Sequence, residues 1–168
     1  MTGIGPVTLR RAAFPADAPV LRALIAEYVA NLGLDLGFQD VDGEIAALPG
    51  AYAAPQGAFL IAECGAEAVG IGALRPLHDG SAELKRMYLR PAARGLGAGR
   101  ALALALIGAA RHALSAAAPG HPARLYRRRD PVSQPRLCRN AALHDNPLPG
   151  AMFMALDLKP GRPVASSA

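Results

Sequence analysis

Apolar and polar positions in the first third of the chain follow patterns that predict one strand and two helices. Residues 7–13, VTLRRAA, alternate as a half-buried strand does. After Asp17, the predicted N-cap, apolar residues recur at the spacing of one helix face: Leu21, Leu24, Ile25, Tyr28, Val29 and Leu32. A short second helix is predicted over residues 41–50, where VDGEIAALPG ends at a Pro-Gly pair.

The middle of the chain predicts three strands joined by tight turns and then a long helix. Residues 57–77 form a hairpin pattern, with FLIAE and AVGIGAL as strands and CGAE as the turn. A second turn, HDGS at 78–81, leads into AELKRMYLRP, the third strand of an antiparallel meander. The long helix is predicted from Gly97 to Ala116.

The last third of the chain is less regular. ARLYRR at 123–128 is a candidate strand and AMFMALDL at 151–158 is a clear one, but the segment between them has neither period. We therefore predict an α/β (α+β) fold, with a mixed and mostly antiparallel central sheet flanked by helices. Residues 1–158 are expected to form a single domain, and residues 159–168 a disordered tail.

Composition narrows the class to a globular protein. The chain has 168 residues, of which 52% are hydrophobic, so it can bury one core. No apolar run reaches the ~20 residues of a membrane span, and the first residues lack a basic-then-apolar export signal. Cys64 and Cys138 have neither metal-site nor disulfide-framework spacing. We expect a cytoplasmic protein with no metal and no membrane partner.

The net charge of +5 raises nucleic-acid binding as an alternative. Much of this charge lies in one block of arginines: Arg124, Arg127, Arg128, Arg129, Arg136 and Arg139. No nucleic-acid-binding motif accompanies the block, so a solvated surface is the favoured interpretation and no nucleic-acid partner is expected. Steeply salt-dependent association would indicate the alternative.

Three glycines alternate with other residues just before the long helix, in Arg94-Gly95-Leu96-Gly97-Ala98-Gly99-Arg100. Glycine lets an anion approach the backbone, and the first N–H groups of a helix have no helical acceptor and lie at its positive end. The pattern therefore indicates a cofactor that carries phosphate. A Walker loop would continue with Lys-Ser/Thr after its last glycine, and a dinucleotide fingerprint needs G-x-G-x-x-G in a βαβ unit, so both are disfavoured. A flexible turn without a ligand is the remaining alternative.

At this turn the chain resembles the Gcn5-related N-acetyltransferases (GNAT). Arg94-x-x-Gly97-x-Gly99 is similar to their R/Q-x-x-G-x-G/A cofactor motif, ELKRMYLRP looks like their fourth strand, and DNPLPGAMFMALDL is similar to the ending of many small bacterial members. The resemblance implies that residues 94–100 hold the pyrophosphate of acetyl-CoA. It also implies that the backbone around Met87, Tyr88 and Leu89 pairs with the pantetheine arm, where the fifth strand splays away. Backbone N–H groups near Leu89 would polarise the thioester carbonyl.

Acyl transfer to an amine needs a base for the amine and an acid for the leaving thiolate. The resemblance makes Glu83, at the start of the fourth strand, the candidate base. The alternative is a surface carboxylate paired with Lys85 or Arg86, since strand alternation predicts that Glu83, Lys85 and Met87 share one face.

The acid is harder to assign, because the late helix with L-Y-x-x-L-G-F that the family often has is missing here. Tyr126 is the catalytic candidate but lies where the fifth strand is predicted, and Pro131 and Pro135 obstruct a helix in this segment. The acid is therefore absent, a water molecule, Tyr126 or His144. We hypothesise that the atypical segment 124–144 arose from a reading-frame slip, which the gene's other two frames would reveal.

The resemblance as a whole implies an N-acetyltransferase that moves the acetyl group of acetyl-CoA directly to a primary amine. The expected partner is a small-molecule or peptide amine, and a homodimer is left open. The alternative is a catalytically impaired acyl-CoA-binding protein that lacks a complete acyl channel.

Overall fold

The computed structural model describes residues 6–32, 40–117, 123–129, 138–140 and 152–158. Three helices and seven strands lie within these residues. In chain order they are β1 (Val7–Arg11), α1 (Ala18–Leu32), α2 (Val41–Ala46), β2 (Ala58–Cys64), β3 (Glu67–Pro76), β4 (Ala82–Leu89), α3 (Ala98–Ala117), β5 (Ala123–Arg129), β6 (Cys138–Asn140) and β7 (Met152–Leu158).

The strands form one sheet in the order β1-β2-β3-β4-β5-β7-β6. All neighbours are antiparallel except β4 and β5, which run parallel because α3 carries the chain back across the sheet. The predicted fold class, a mixed and mostly antiparallel sheet flanked by helices, is confirmed.

Each face of the sheet packs against different helices. On one face, α3 buries Leu102 and Leu106 against strand residues such as Leu60, Leu74 and Leu84. On the other face, α1 buries Leu21, Leu24 and Ile25 against Phe59, Ile61 and Ile71. These two apolar clusters exclude water from both sides of β2, β3 and β4, so the middle of the sheet is rigid.

Gly72 of β3 allows α3 to lie close to the sheet. A Cβ at this position would come within 2.8 Å of Leu106 Cδ1 and of Met87 Sδ, and within 3.0 Å of Leu102 Cδ2. Any other residue type at this position would require these side chains to shift.

Some element bounds differ from the prediction. The helix α2 ends at Ala46, and a separate 3-10 turn covers Gly50–Tyr52. The turn between β2 and β3 is tighter than predicted, because only Gly65 and Ala66 remain outside the strands and Gly65 has φ of 61°. The short strand β6 was not predicted.

Asp17 directly precedes α1, as predicted for its N-cap, but its carboxylate has other partners. Oδ2 accepts a hydrogen bond from the Ala13 N–H at 2.6 Å and contacts Arg10 Nη1 at 2.6 Å. The Arg10 guanidinium therefore holds the pKa of Asp17 below its usual value. This contact ties the start of α1 to β1.

Several predictions fall outside the described residues. They include the tail at 159–168, His144, and the part of the atypical segment that contains Pro131 and Pro135. None of the helices within the described ranges is both long and apolar enough to cross a membrane.

Candidate functional site

The glycine turn lies between β4 and α3, with open space beside it. Gly95 and Gly97 have φ of 81° and 76°, a conformation that favours glycine. A Cβ added at either position would have no heavy atom within 4 Å. A ligand can therefore approach the backbone here.

The N-terminus of α3 supplies hydrogen-bond donors to this space. The helix starts at Ala98, and the Ala101 N–H bonds to the Gly97 carbonyl at 3.0 Å. The N–H groups of residues 98–100 therefore have no acceptor within the helix and lie at the positive end of its dipole. This arrangement suits an anion, and phosphate is the anion that such helix termini commonly bind.

Arg94 connects the turn to the end of β4. Its Nε donates a hydrogen bond to the Leu89 carbonyl at 3.1 Å, while the side chain remains exposed. Arg100 is also exposed, so both arginines can add positive charge at the surface of the turn.

A bulge interrupts β4 before the turn. Tyr88 pairs with Ile71 and Lys85 pairs with Ala73, so Arg86 and Met87 together oppose the single residue Gly72. Arg86 has φ of 55°, and the extra residue changes the alternation of side chains along the strand.

The bulge corrects the prediction that Glu83, Lys85 and Met87 share one face. Met87 packs with Leu89 in the cluster against α3. Tyr88 packs instead in the cluster against α1. A strand without the extra residue would have kept Met87 on the same face as Lys85.

The strands β4 and β5 pair only along part of their length. The paired residues are Ala82 with Leu125, Glu83 with Tyr126 and Leu84 with Arg127. Between the described residues of β4 and β5 no pair follows Leu84, although β4 continues to Leu89. The strands therefore part where the bulge begins, in agreement with the splayed fifth strand that the resemblance implied.

Glu83 is buried on the face that packs against α1 and α2. Its Oε2 contacts Arg75 Nη2 at 2.8 Å and Nε at 2.9 Å, because β3 places Arg75 directly opposite. The alternative pairing with Lys85 or Arg86 is wrong. Among the residues that the structure describes, none donates a hydrogen bond to Oε1 of Glu83.

Tyr126 lies next to Glu83 in the sheet, since their backbones are in register on the parallel strands. Its side chain falls outside what the structure describes. The two residues predicted as catalytic are therefore neighbours in the fold, and their roles stay predictions.

Glu44 of α2 was not predicted, and it is the centre of a partly buried polar cluster. Its carboxylate accepts two hydrogen bonds from Arg86, Nε to Oε1 at 2.8 Å and Nη2 to Oε2 at 2.9 Å. The Tyr52 hydroxyl donates to Oε1 at 2.7 Å, and Lys85 Nζ lies 3.3 Å from Oε2. We call Glu44, Tyr52, Lys85 and Arg86 the α2–β4 cluster.

Burial and charge both shift the pKa values of this cluster, in opposite directions for Glu44 and Lys85 and in the same direction for Tyr52. Burial alone would raise the pKa of Glu44, but the hydrogen bonds and charges of Arg86 and Lys85 lower it to about 2. Burial lowers the pKa of Lys85 although the Glu44 charge opposes this. Burial and the same carboxylate raise the pKa of Tyr52. Glu44 is therefore ionised at neutral pH.

A second ion pair joins α1 to the end of β4. Glu27 contacts Arg90 twice, Oε1 to Nη2 at 2.6 Å and Oε2 to Nε at 2.9 Å, and Arg90 also contacts Glu67 at 2.7 Å. The Tyr88 hydroxyl accepts a hydrogen bond from Asn31 at 3.2 Å. This pair fixes the strand just before the glycine turn.

Arg75 and Glu44 were not predicted as site residues, but the sequence carries a signal for Arg75. The HDGS turn fixes the register of β3 against β4, and counting back from it places Arg75 opposite Glu83. Glu44 had no such signal, because α2 is short and its contact with Arg86 depends on how the helix packs over the sheet.

No group of three or more His, Cys, Asp or Glu side chains that could hold a metal ion occurs in the described part of the chain.

Three features together define the acyl-CoA N-acyltransferase fold. They are a bulged strand, the separation of this strand from its parallel neighbour, and an open glycine turn at a helix N-terminus. A model of the acetyltransferase (GNAT) family matches residues 26–129. The chain therefore belongs to the GNAT family of acetyltransferases.

Two curated proteins are similar in sequence. The uncharacterised N-acetyltransferases C1271.07c of Schizosaccharomyces pombe and YjgM of Escherichia coli are each 38% identical over 93 residues, or 54% of this chain. The matches cover 56% and 54% of those proteins, so the chain spans about half the length of the curated relatives it matches.

Solved structures share the fold. An acetyltransferase from Streptococcus agalactiae superposes with a TM-score of 0.69 at 18% identity, covering 94% of this chain and 100% of the other. A predicted acetyltransferase from Clostridium acetobutylicum, solved with acetyl-CoA, superposes with a TM-score of 0.53 at 19% identity, covering 64% of this chain and 75% of the other.

Proposed function

We propose that the protein is an acetyl-CoA-dependent N-acetyltransferase that transfers the acetyl group directly to a primary amine in a ternary complex. The observation that carries the proposal is the open glycine turn, with unpaired helix N–H groups, next to a strand that parts from its parallel neighbour. Family membership and a neighbour of the same fold that was solved with acetyl-CoA support it.

The turn is the proposed site of the cofactor's pyrophosphate. The helix N–H groups of residues 98–100 would donate to phosphate oxygens, and Arg94 and Arg100 would add charge. The backbone around Met87, Tyr88 and Leu89 would pair with the pantetheine arm, since β5 leaves this part of β4 unpaired. The gap between the strands is then the place for the thioester.

Glu83 is the proposed base. Its Arg75 partner holds Oε2, so Oε1 is the oxygen that would take a proton from the amine, directly or through water. The amine nitrogen bonds to the thioester carbon, the carbon–sulfur bond breaks, and the thiolate of CoA leaves and takes up a proton. Backbone N–H groups near Leu89 would stabilise the oxyanion, and Tyr126 is the proposed donor to the thiolate.

The acceptor, the other partners and the localisation are proposed in general terms. We expect a small-molecule or peptide amine as the acceptor, and no metal, nucleic acid or membrane. We expect the protein in the cytoplasm, and a homodimer is open.

A second candidate function is that of a catalytically impaired acyl-CoA-binding protein. The observation that favours it is the missing L-Y-x-x-L-G-F pattern, in whose place the sequence has Pro131 and Pro135. Such a protein would keep the glycine turn but lack the donor for the leaving thiolate.

A calorimetric titration with acetyl-CoA, combined with a free-thiol assay over a panel of amines, separates the two functions. The proposed enzyme binds acetyl-CoA and releases CoA thiol faster in the presence of at least one amine than in its absence. Binding without amine-dependent thiol release supports the second function. If acetyl-CoA does not bind, both are wrong.

A further inference from the structure

The bulge of β4 depends on an arginine in a conformation that arginine rarely adopts. Arg86 has φ of 55°, which crowds the Cβ atom of any residue other than glycine. Its side chain is 1% exposed, so no solvent stabilises it there. Protein contacts must therefore compensate for both the backbone strain and the buried charge.

Glu44 makes those contacts in a fork-to-fork geometry. Two parallel hydrogen bonds join its carboxylate to the Arg86 guanidinium at 2.8 and 2.9 Å. The Tyr52 hydroxyl and Lys85 hold the same carboxylate, so the helix α2 has a fixed position over the bulge. A bidentate pair of this kind restrains direction as well as distance.

The bulge separates the two groups of residues that the proposed reaction must bring together. Glu83 lies before it, and the proposed cofactor strand Met87–Leu89 lies after it. The bulge also turns Met87 away from the face that carries Glu83, and pairing with β5 ends immediately before it. A change in the backbone at Arg86 therefore moves one group relative to the other.

We propose that Glu44 is a positioning residue, which holds Arg86 in its left-handed conformation and so sets the place of the cofactor strand relative to Glu83. This inference rests on the proposed acetyl transfer. In this proposal Glu44 acts through its contact with Arg86 and not through a contact with the acceptor or the cofactor.

The first test is Glu44→Gln, which keeps the shape of the side chain and removes the charge that Arg86 pairs with. Turnover is measured per CoA-binding site, with the number of sites taken from calorimetry, so that loss of folded protein does not count as loss of activity. We expect turnover per site to fall about tenfold or more, while the dissociation constant of CoA changes less than about threefold.

The matched control is Glu63→Gln. Glu63 also pairs with an arginine, Arg10, at 2.8 Å, but it lies on β2, which β3 separates from β4. We expect the turnover per site of the Glu63→Gln variant to stay within about twofold of the wild-type value. If Glu44→Gln behaves like this control, Glu44 has only a structural role and the inference is wrong.

A double-mutant cycle tests whether Glu44 acts through Arg86. Glycine adopts positive φ without strain, so Arg86→Gly can form the bulge without an anchor. In this background we expect Glu44→Gln to change turnover by less than about twofold. An equal loss in both backgrounds would mean that Glu44 acts by another route, and would overturn the inference.

A measurement that does not depend on enzyme activity tests this inference independently of the proposed function. Backbone NMR couplings and chemical shifts report the sign of φ at Arg86, which we expect to change from positive to negative in Glu44→Gln. If φ stays positive, the inference fails even if the protein is an acetyltransferase. If φ changes but the unchanged protein acetylates no amine, Glu44 does hold the bulge and the proposed function is wrong.

Discussion

Glu83, the proposed base, is buried and is held through one of its two carboxylate oxygens. Arg75 holds Oε2, and this contact fixes the side chain without engaging Oε1. A base in this position needs its charge, whereas binding of the cofactor at the glycine turn does not depend on it.

Glu83→Gln is therefore expected to lower turnover about 100-fold while leaving CoA affinity unchanged. Part of the loss should be recovered at high pH, because the fraction of unprotonated amine rises. The free-thiol assay and calorimetry measure the two quantities. Glu67→Gln, which changes a carboxylate with a 71% exposed side chain, is the control. Equal turnover in the two variants would exclude Glu83 as the base.

Glu44 should make the stability of the fold depend on pH on the acid side. Its pKa is about 2 in the folded protein and 4.5 in its ordinary state. A carboxylate with a lowered pKa stabilises the fold fully when the pH is above its ordinary pKa. This stabilisation is lost as the pH falls toward the pKa of the folded protein.

We therefore compare the unfolding free energies of the wild-type protein and Glu44→Gln. Their difference should be constant above about pH 5.5, which is one unit over the ordinary pKa of Glu44. Between pH 4.5 and about 2 the difference should shrink. Urea unfolding at a series of pH values measures it. A difference that stays constant through this range would show that Glu44 is not held as a charged partner of Arg86.

At the scale of residues, the sequence could predict chemistry but not every partner. Glu83 is predicted as the base because a carboxylate at the start of a strand matches a family pattern, and this role stays a prediction. Arg75 could have been found by counting from the HDGS turn. Arg86 could not, because arginine carries no signal for positive φ, and the strain is compensated by Glu44 through a contact between residues 42 positions apart.

The turn between β4 and α3 is the element on which the proposed cofactor binding depends. Gly97 lies in open space at positive φ, with the helix N–H groups beside it. A negative charge there should repel phosphate, and this effect can be separated from backbone strain with matched variants.

Gly97→Asp is expected to abolish measurable acetyl-CoA affinity, whereas Gly97→Asn, which has the same shape and tolerates positive φ, should retain much of it. Gly99→Asp should behave like Gly97→Asp. Gly80→Asp controls for backbone strain, since Gly80 has φ of 79° in open space at another turn. Calorimetry measures all four variants. If Gly97→Asp binds as well as Gly97→Asn, the turn is not the phosphate site.

At the scale of elements, alternation and helix spacing predicted β1, the β2–β3–β4 meander, α3, β5 and β7. These patterns follow from burial on one or both faces, which the sequence records directly. The bulge in β4 was not predicted, because it depends on Gly72 admitting α3 and on α2 holding Arg86. Both are consequences of packing between elements that are distant in the chain.

At the scale of the whole molecule, the segment after β5 is where the chain departs from its family. The codons that can encode residues 132–140 include a series that, read one nucleotide later, gives Tyr-Leu-Ser-Arg-Gly-Phe-Val-Glu-Met. This series has a tyrosine at the same distance from Gly-Phe as in L-Y-x-x-L-G-F.

We therefore expect the gene to encode a tyrosine followed by Gly-Phe in another frame across this segment. Nucleotide sequencing of the region tests this. A protein made from the alternative frame should release more CoA thiol than the present chain in the amine assay, at similar CoA affinity. If neither alternative frame encodes such a series, the frame-slip hypothesis is wrong.

The short pairing between β4 and β5 also bears on how the molecule opens. Three residue pairs, beginning at Ala82 and Leu125, join the meander to the strands β5 and β7, while β5 and β7 pair along their whole length. Amide hydrogen exchange should therefore follow two cooperative units, with residues 123–129 and 152–158 exchanging together and before residues 58–89. The glycine turn follows β4 directly in the chain, so we expect it to exchange with the slower unit. Opening of the faster unit would then expose the gap between the strands while leaving the turn protected.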